Sequence, residues 1–135
     1  YCLGYLWNRG DEVGDATDPN TGRKIEFKAT SRFEGDLSSF GPKCVFDDLV
    51  FLRFKLDENL LYIYDLNINS EEFGKYPANK TQTIQEQKNQ GRRPHVSLQT
   101  LFVDANNLEP DIIFDIRRCK AYNRVSEYYQ RLIGK

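Results

Sequence analysis

Gly14-Asp15-Ala16-Thr17-Asp18-Pro19-Asn20-Thr21-Gly22-Arg23-Lys24-Ile25-Glu26-Phe27-Lys28 is the stretch from which the architecture can be worked out. Pro19, Asn20 and Gly22 each favour a tight turn for their own backbone reasons. The flanks, Glu12 to Thr17 and Lys24 to Ser31, read as the two strands of a hairpin. With the loop at Pro19 to Gly22, pairing symmetric about its centre puts Asp15 opposite Glu26. Glu26 and Lys28 are two apart and share a face of their strand. Asp15 joins them there. Ile25, Phe27 and Ala29 make the other face apolar, so this is a core strand with one polar face. A slip of one residue would turn Asp15 away and leave Asp18 as the substitute carboxylate.

Two carboxylates hold Mg²⁺ through hard oxygen ligands. A lysine beside the metal orients or deprotonates a water. Together they are equipment for metal-assisted phosphodiester hydrolysis. The same spacing also describes a solvated hairpin with a cross-strand Glu–Lys pair, and that plainer reading stays open here.

The residues Gly14-Asp15 and Ile25-Glu26-Phe27-Lys28-Ala29-Thr30-Ser31 resemble the signature of the PD-(D/E)xK nuclease superfamily, with Gly14 where many members have Pro. Asp36-Leu37-Ser38-Ser39-Phe40-Gly41-Pro42 and Gln90-Gly91-Arg92-Arg93-Pro94-His95-Val96-Ser97-Leu98 sharpen the likeness. They resemble small type II restriction endonucleases of the Bsp-six-I type, which cut short G+C-rich sites. The resemblance runs from about Gly14 to Ile116. It implies a Mg²⁺-dependent cut of double-stranded DNA at a short palindromic site, leaving 5′-phosphates. Asp15 and Glu26 would bind metal with the Phe27 carbonyl, and Lys28 would position or activate the water. A repair or modification-dependent nuclease of the same superfamily, or a non-catalytic DNA-binding module, are the alternatives.

With 135 residues the chain suffices for one compact domain, taken as 1–135. It begins at Tyr1 and contains no Met, so the natural product is expected to extend upstream. A missing segment there would hold the further acid some superfamily members use; Glu12 is the nearest candidate present. The three cysteines are widely spaced without CxxC pairing, which indicates neither a disulfide framework nor a zinc site. Buried thiols in a reducing cytoplasm are expected instead. No apolar run approaches the roughly 20 residues of a membrane span.

Net charge is −1, which does not suggest a generic DNA-coating protein. The distribution says more. Asp11 to Asp18 holds four acids and no bases, whereas Lys75 to Pro94 holds five bases and one acid. An acidic metal pocket beside a basic segment suits an enzyme that holds a phosphate backbone over metal.

The remaining elements predict an α/β fold, a restriction-endonuclease-like core in which a mixed β-sheet with the catalytic hairpin is flanked by helices. Cys2 to Trp7 reads as the end of a helix stopped near Gly10. Arg32 to Cys44 reads as a long functional loop. Strands are expected at Leu49–Phe54, Leu60–Tyr64, His95–Val103 and Ile112–Arg117. Helices are expected from Ser70, capped by Ser70 or Asn69, over Thr81–Asn89, and over Arg124–Ile133. Tyr122, Tyr128, Tyr129, Leu132 and Ile133 form a C-terminal stripe that serves the core or a homodimer; two-fold symmetry suits the cutting of a palindrome.

Lys80 to Arg93 is rich in amides and bases with only Ile84 to bury. It reads as a groove-facing segment or an exposed amphipathic turn. Gln and Asn suit adenine edges, Arg suits guanine, and Lys suits phosphate. Arg92, Arg93 and His95 are the expected base readers, with Lys80, Gln82, Gln85, Lys88 and Gln90 beside them. Ser38, Ser39 and Lys43 would hold phosphate oxygens. A cognate DNA methyltransferase is expected in the same system, but not as a stable partner.

Overall fold

The computed structural model describes residues 5–7 and 14–123. Its hairpin has the anticipated register. A two-residue strand, β2 (Ala16–Thr17), pairs antiparallel with β3 (Lys24–Thr30), Ala16 against Ile25 and Thr17 against Lys24. Asp18 and Arg23 close the turn: Asp18 N–H donates to the Arg23 carbonyl at 3.0 Å, and Gly22 N–H to the Asp18 carbonyl at 2.8 Å. Asp18 Oδ1 also accepts from Asn20 N–H at 2.9 Å, an Asx turn.

Ahead of the hairpin, the expected helix end is instead a short strand, β1 (Leu6–Trp7), paired with β2. Tyr5 and Trp7 are β-formers, and the open edge of β2 offers Leu6 and Trp7 ladder partners. Glu12 and the expected Arg124–Ile133 helix, with Tyr128, Tyr129, Leu132 and Ile133, lie outside the described residues.

Beyond β3 the chain passes through β4 (Ser38–Ser39) to β5 (Asp48–Lys55), which returns parallel to β3. The strands β6 (Leu60–Asp65), β8 (Ile112–Asp115) and β9 (Lys120–Tyr122) then add antiparallel. The result is a mixed seven-stranded sheet in the order β1-β2-β3-β5-β6-β8-β9, with helices against it, a mixed α/β architecture. A separate ribbon joins β4 to β7 (His95–Val96).

Register fixes the two faces. Ile25, Val50 and Ile63 point one way, into a small apolar cluster with Ala16. Leu49, Phe51 and Tyr64 point the other way, into the larger core with Phe40, Phe46 and Phe73. Helix α1 (Ser70–Gly74), capped by the Asn69 side chain, and α2 (Ile84–Asn89), opened by a Thr83–Glu86 capping box, cover that face through Phe73 and Ile84.

The expected strand His95–Val103 divides. Only His95 and Val96 are extended; α3 (Gln99–Asp104) is a wide π-helical segment. The cause is the buried Asp36. Its carboxylate accepts from Ser97 Oγ at 2.7 Å, Leu98 N–H at 2.9 Å and Gln99 N–H at 3.1 Å. These first N–H groups, turned to a carboxylate from another part of the chain, begin a helix and end the strand. Gln99 then holds Glu34, Asp104 and Gly35 N–H, so the region after β3 is tied down rather than loose.

Asp48 is wholly buried at the start of β5, on the face of Ile25. Its Oδ1 accepts from Leu49 N–H at 2.9 Å and Ile68 N–H at 3.2 Å, and among the described residues no donor reaches Oδ2. Burial first, and then the neighbouring Asp65, push this carboxyl up to about 7.

Candidate functional site

Glu26 and Lys28 stand on the larger-core face of β3, level with Leu49 and Phe51 of β5. Both side chains are mostly covered, and Lys28 Nζ lies 3.8 Å from Glu26 Oε2. The ladder between β2 and β3 stops one pair before Asp15. Asp15 N–H donates to the Ile25 carbonyl at 2.8 Å, and Phe27 N–H donates to Asp15 Oδ2 at 2.8 Å. The side chain thus folds onto the neighbouring strand and comes within hydrogen-bonding reach of Glu26. The three residues expected from spacing are brought together.

Gly14 makes this path feasible. Its φ is +75°, and a Cβ there would sit 3.0 Å from the Ile25 carbonyl oxygen. Only glycine takes both the backbone and the close approach without strain.

The electrostatics are those of crowded acids. Burial raises the Glu26 carboxyl above its ordinary range, Asp15 raises it further, and Lys28 opposes both. The Cys44 thiol also reaches Glu26, and is itself pushed up to about 11 by burial and then by that carboxylate. It is therefore a neutral S–H donor at neutral pH. Lys28 Nζ lies 4.8 Å from the centre of the Phe40 ring, a cation–π contact that fixes where the ammonium sits. Neither Phe40 nor Cys44 stands out in the sequence as a site residue. Their signal was their place in the Arg32-to-Cys44 segment, read as a long functional loop after β3.

Two partly buried carboxylates this close are mutually repulsive, and a hard cation held by both relieves that repulsion. Among the described residues no group of three or more His, Cys, Asp or Glu is arranged to hold a metal. The donor set is two carboxylates with the Phe27 carbonyl as the further expected oxygen. That set suits Mg²⁺, which keeps several of its own waters.

The residues expected at DNA divide. Lys43, Lys80, Gln85, Gln90, Arg92, Arg93 and His95 are exposed, and Ser39 and Gln82 are half-buried. Ser38 and Lys88 turn inward. Ser38 lies on the core side of β4, and Lys88 Nζ donates to the Cys44 carbonyl at 2.7 Å. Lys88 instead braces the segment beside Glu26. Gln87 is buried as well, so helix α2 turns two of its polar side chains inward beside Ile84. Gln82 Oε1 accepts from Arg92 at 3.0 Å, and Gln85 Nε2 donates to Asn89 Oδ1 at 2.8 Å.

The sequence profile of the Bsp6I restriction endonuclease family matches residues 1–105. The chain is 42% identical over 119 residues to the type II restriction enzyme Bsp6I of Bacillus sp. (strain RFL6), an alignment covering 88% of this chain and 68% of that enzyme. No solved structure matches it.

Proposed function

Because the chain belongs to the Bsp6I restriction endonuclease family, we propose that the Asp15–Glu26–Lys28 cluster is the hydrolytic centre of this type II restriction endonuclease. The observation that carries the assignment is the convergence on Glu26. Asp15 reaches it from one strand and Lys28 stands 3.8 Å away on its own. The surrounding sheet is read as a restriction-endonuclease-like core forming one nuclease domain.

Asp15 and Glu26, with the Phe27 carbonyl, would hold a divalent cation, Mg²⁺ in this reading. Once bound, such an ion supplies Lewis acidity at the phosphate and charge for the leaving 3′-oxygen. The chain's own work is different. Lys28, an ammonium held by Glu26 and over the Phe40 ring, orients the attacking water and stabilises the charge that develops on it, the water's proton passing to solvent. The Cys44 S–H holds the Glu26 carboxylate by hydrogen bonding. The exposed cations Lys43, Lys80, Arg92 and Arg93 bind the backbone or bases of double-stranded DNA.

The reading extends to a homodimer on a short, G+C-rich palindrome, with products bearing 5′-phosphates. It places the enzyme in the cytoplasm, where a methyltransferase of matching specificity protects host DNA. Among the described residues no helix is long and apolar enough to cross a membrane.

The test is digestion of phage-length DNA with Mg²⁺ or with EDTA, alongside Glu26→Ala. Discrete bands that need Mg²⁺ and vanish in the variant are expected. End-labelling only after phosphatase treatment would identify 5′-phosphates. A smear with the same dependencies keeps a nuclease and sinks site specificity. Intact DNA after incubation with folded, full-length wild type sinks the catalytic assignment.

A further inference from the structure

The two sequence stretches that set this chain apart, Asp36 to Pro42 and Gln90 to Leu98, meet in space. Ser39 pairs with His95 and Ser38 with Val96, and Phe40 N–H donates to the Pro94 carbonyl at 3.0 Å. The pair forms a β-ribbon with two distinct faces. Asp36, Ser38 and Phe40 on one strand, and Pro94, Val96 and Leu98 on the other, are buried. Leu37, Ser39, Arg93 and His95 alternate with them and point outward. Leu37 is 66% exposed, an apolar side chain held out on an otherwise polar face.

From this geometry we infer that the β4–β7 ribbon is the element that reads base edges in the major groove of the DNA this nuclease cuts. The inference rests on the nuclease reading above and goes beyond it by separating base reading from the polar helix α2. A two-stranded ribbon fits the major groove, which is roughly 12 Å wide. Its charge suits a polyanion. Residues 37–43 and 89–95 hold Lys43, Arg92 and Arg93 and no acid. Its outward chemistry suits base edges: Arg93 for guanine O6 and N7, His95 and Ser39 for hydrogen bonding, and Leu37 for an apolar pyrimidine edge. Gly41 seats Arg93, since a Cβ there would lie 2.9 Å from its Nη1.

The competing element is occupied with itself. On α2, Gln85 bonds Asn89 while Gln87 and Lys88 are buried, and just ahead of it Gln82 bonds Arg92. The ribbon is also joined directly to the cutting centre. Phe40, the residue after Ser39, carries the Lys28 ammonium over its ring. A base pair held by the ribbon is therefore placed relative to Lys28 through one rigid residue.

The test uses a duplex carrying the site mapped from wild-type bands, and duplexes changed at single base pairs. The rate ratio between them, and the salt dependence of binding, are measured for wild type, Leu37→Ala, Ser39→Ala and His95→Ala. Gln85→Ala and Asn89→Ala are run beside them. The expected result is a ratio lowered roughly tenfold to a hundredfold in at least two ribbon variants, with an unchanged salt slope, and no change in the α2 variants. Ribbon variants that keep the ratio but lose about one unit of salt slope would mark phosphate contacts and overturn the inference. Loss of discrimination in the α2 variants alone would move base reading to that helix. Uncut DNA with wild type would instead remove the nuclease reading itself, and this inference with it.

Discussion

The Phe27 peptide N–H donates to Asp15 Oδ2 across 2.8 Å, so the acid at the end of one strand is moored to the strand that carries Glu26 and Lys28. Asp15 therefore does two things at once, a structural one through Oδ2 and an electrostatic one toward Glu26. Asp15→Asn keeps an oxygen acceptor for Phe27 and removes the charge. It is expected to unfold like wild type while single-turnover cleavage falls at least a hundredfold, more than loss of an outer-shell partner costs. Asp15→Ala should lose cleavage and also lower the denaturation midpoint. Near-normal cleavage by Asp15→Asn would remove this residue from the centre.

Lys28 is held by Glu26 and by the Phe40 ring. Lys28→Met preserves much of the aliphatic stem without the ammonium. Cleavage is expected to drop about a hundredfold to a thousandfold, the range for a lost group that stabilises developing charge. DNA binding measured without cleavage should change little. If binding and cleavage fell together, Lys28 would be a phosphate contact instead.

Asp48 makes stability depend on pH in an unusual direction. Its carboxyl titrates at about 7 in the fold, up from 3.8. The folded state thus binds more protons than the unfolded chain between those values, and stability falls as pH rises through that window. Asp48→Asn offers an amide N–H₂ toward Asp65 and keeps an oxygen for Leu49 and Ile68. It is expected to stabilise the protein at pH 8 by about 1–2 kcal/mol, allowing for screening at the exposed Asp65. At pH 4 the advantage should disappear. Urea midpoints at the two pH values check this, and an equal effect at both would refute it.

Asp36→Ala leaves the Leu98 and Gln99 N–H groups and Ser97 Oγ without their acceptor. About 2–3 kcal/mol of stability should be lost, the cost of a missing cap and orphaned buried donors. Hydrogen exchange would show where. Protection should fall in α3 and across the β4–β7 ribbon before it falls in β5.

The hairpin was legible because its information is local. The Pro19-to-Gly22 turn sets the register, and the register delivers Glu26 and Lys28 to one face. Asp15 arrived where expected, although through a side-chain bond to Phe27 rather than as a ladder pair. The strand read at Leu60–Tyr64 forms and runs one residue further, and of the two caps read for the next helix, Ser70 and Asn69, it is Asn69 that caps. Contacts made across long stretches of chain were not. Nothing near Val96 announces that Asp36 will cap the next helix, so the alternation of Val96 and Leu98 read as a longer strand. Lys88 read as a surface cation because its acceptor, the Cys44 carbonyl, lies far away in sequence. The pairing of Ser39 with His95 was invisible for the same reason, although both stretches had been marked out by their residues.

Gly14 has a meaning for kinship as well as for shape. Many members of the superfamily that this hairpin resembles place proline before the acid, and proline is locked near φ −65°. Here that position sits at +75° against the Ile25 carbonyl. Proline at position 14 would therefore turn the chain off the path that carries Asp15 to the Phe27 N–H and to Glu26.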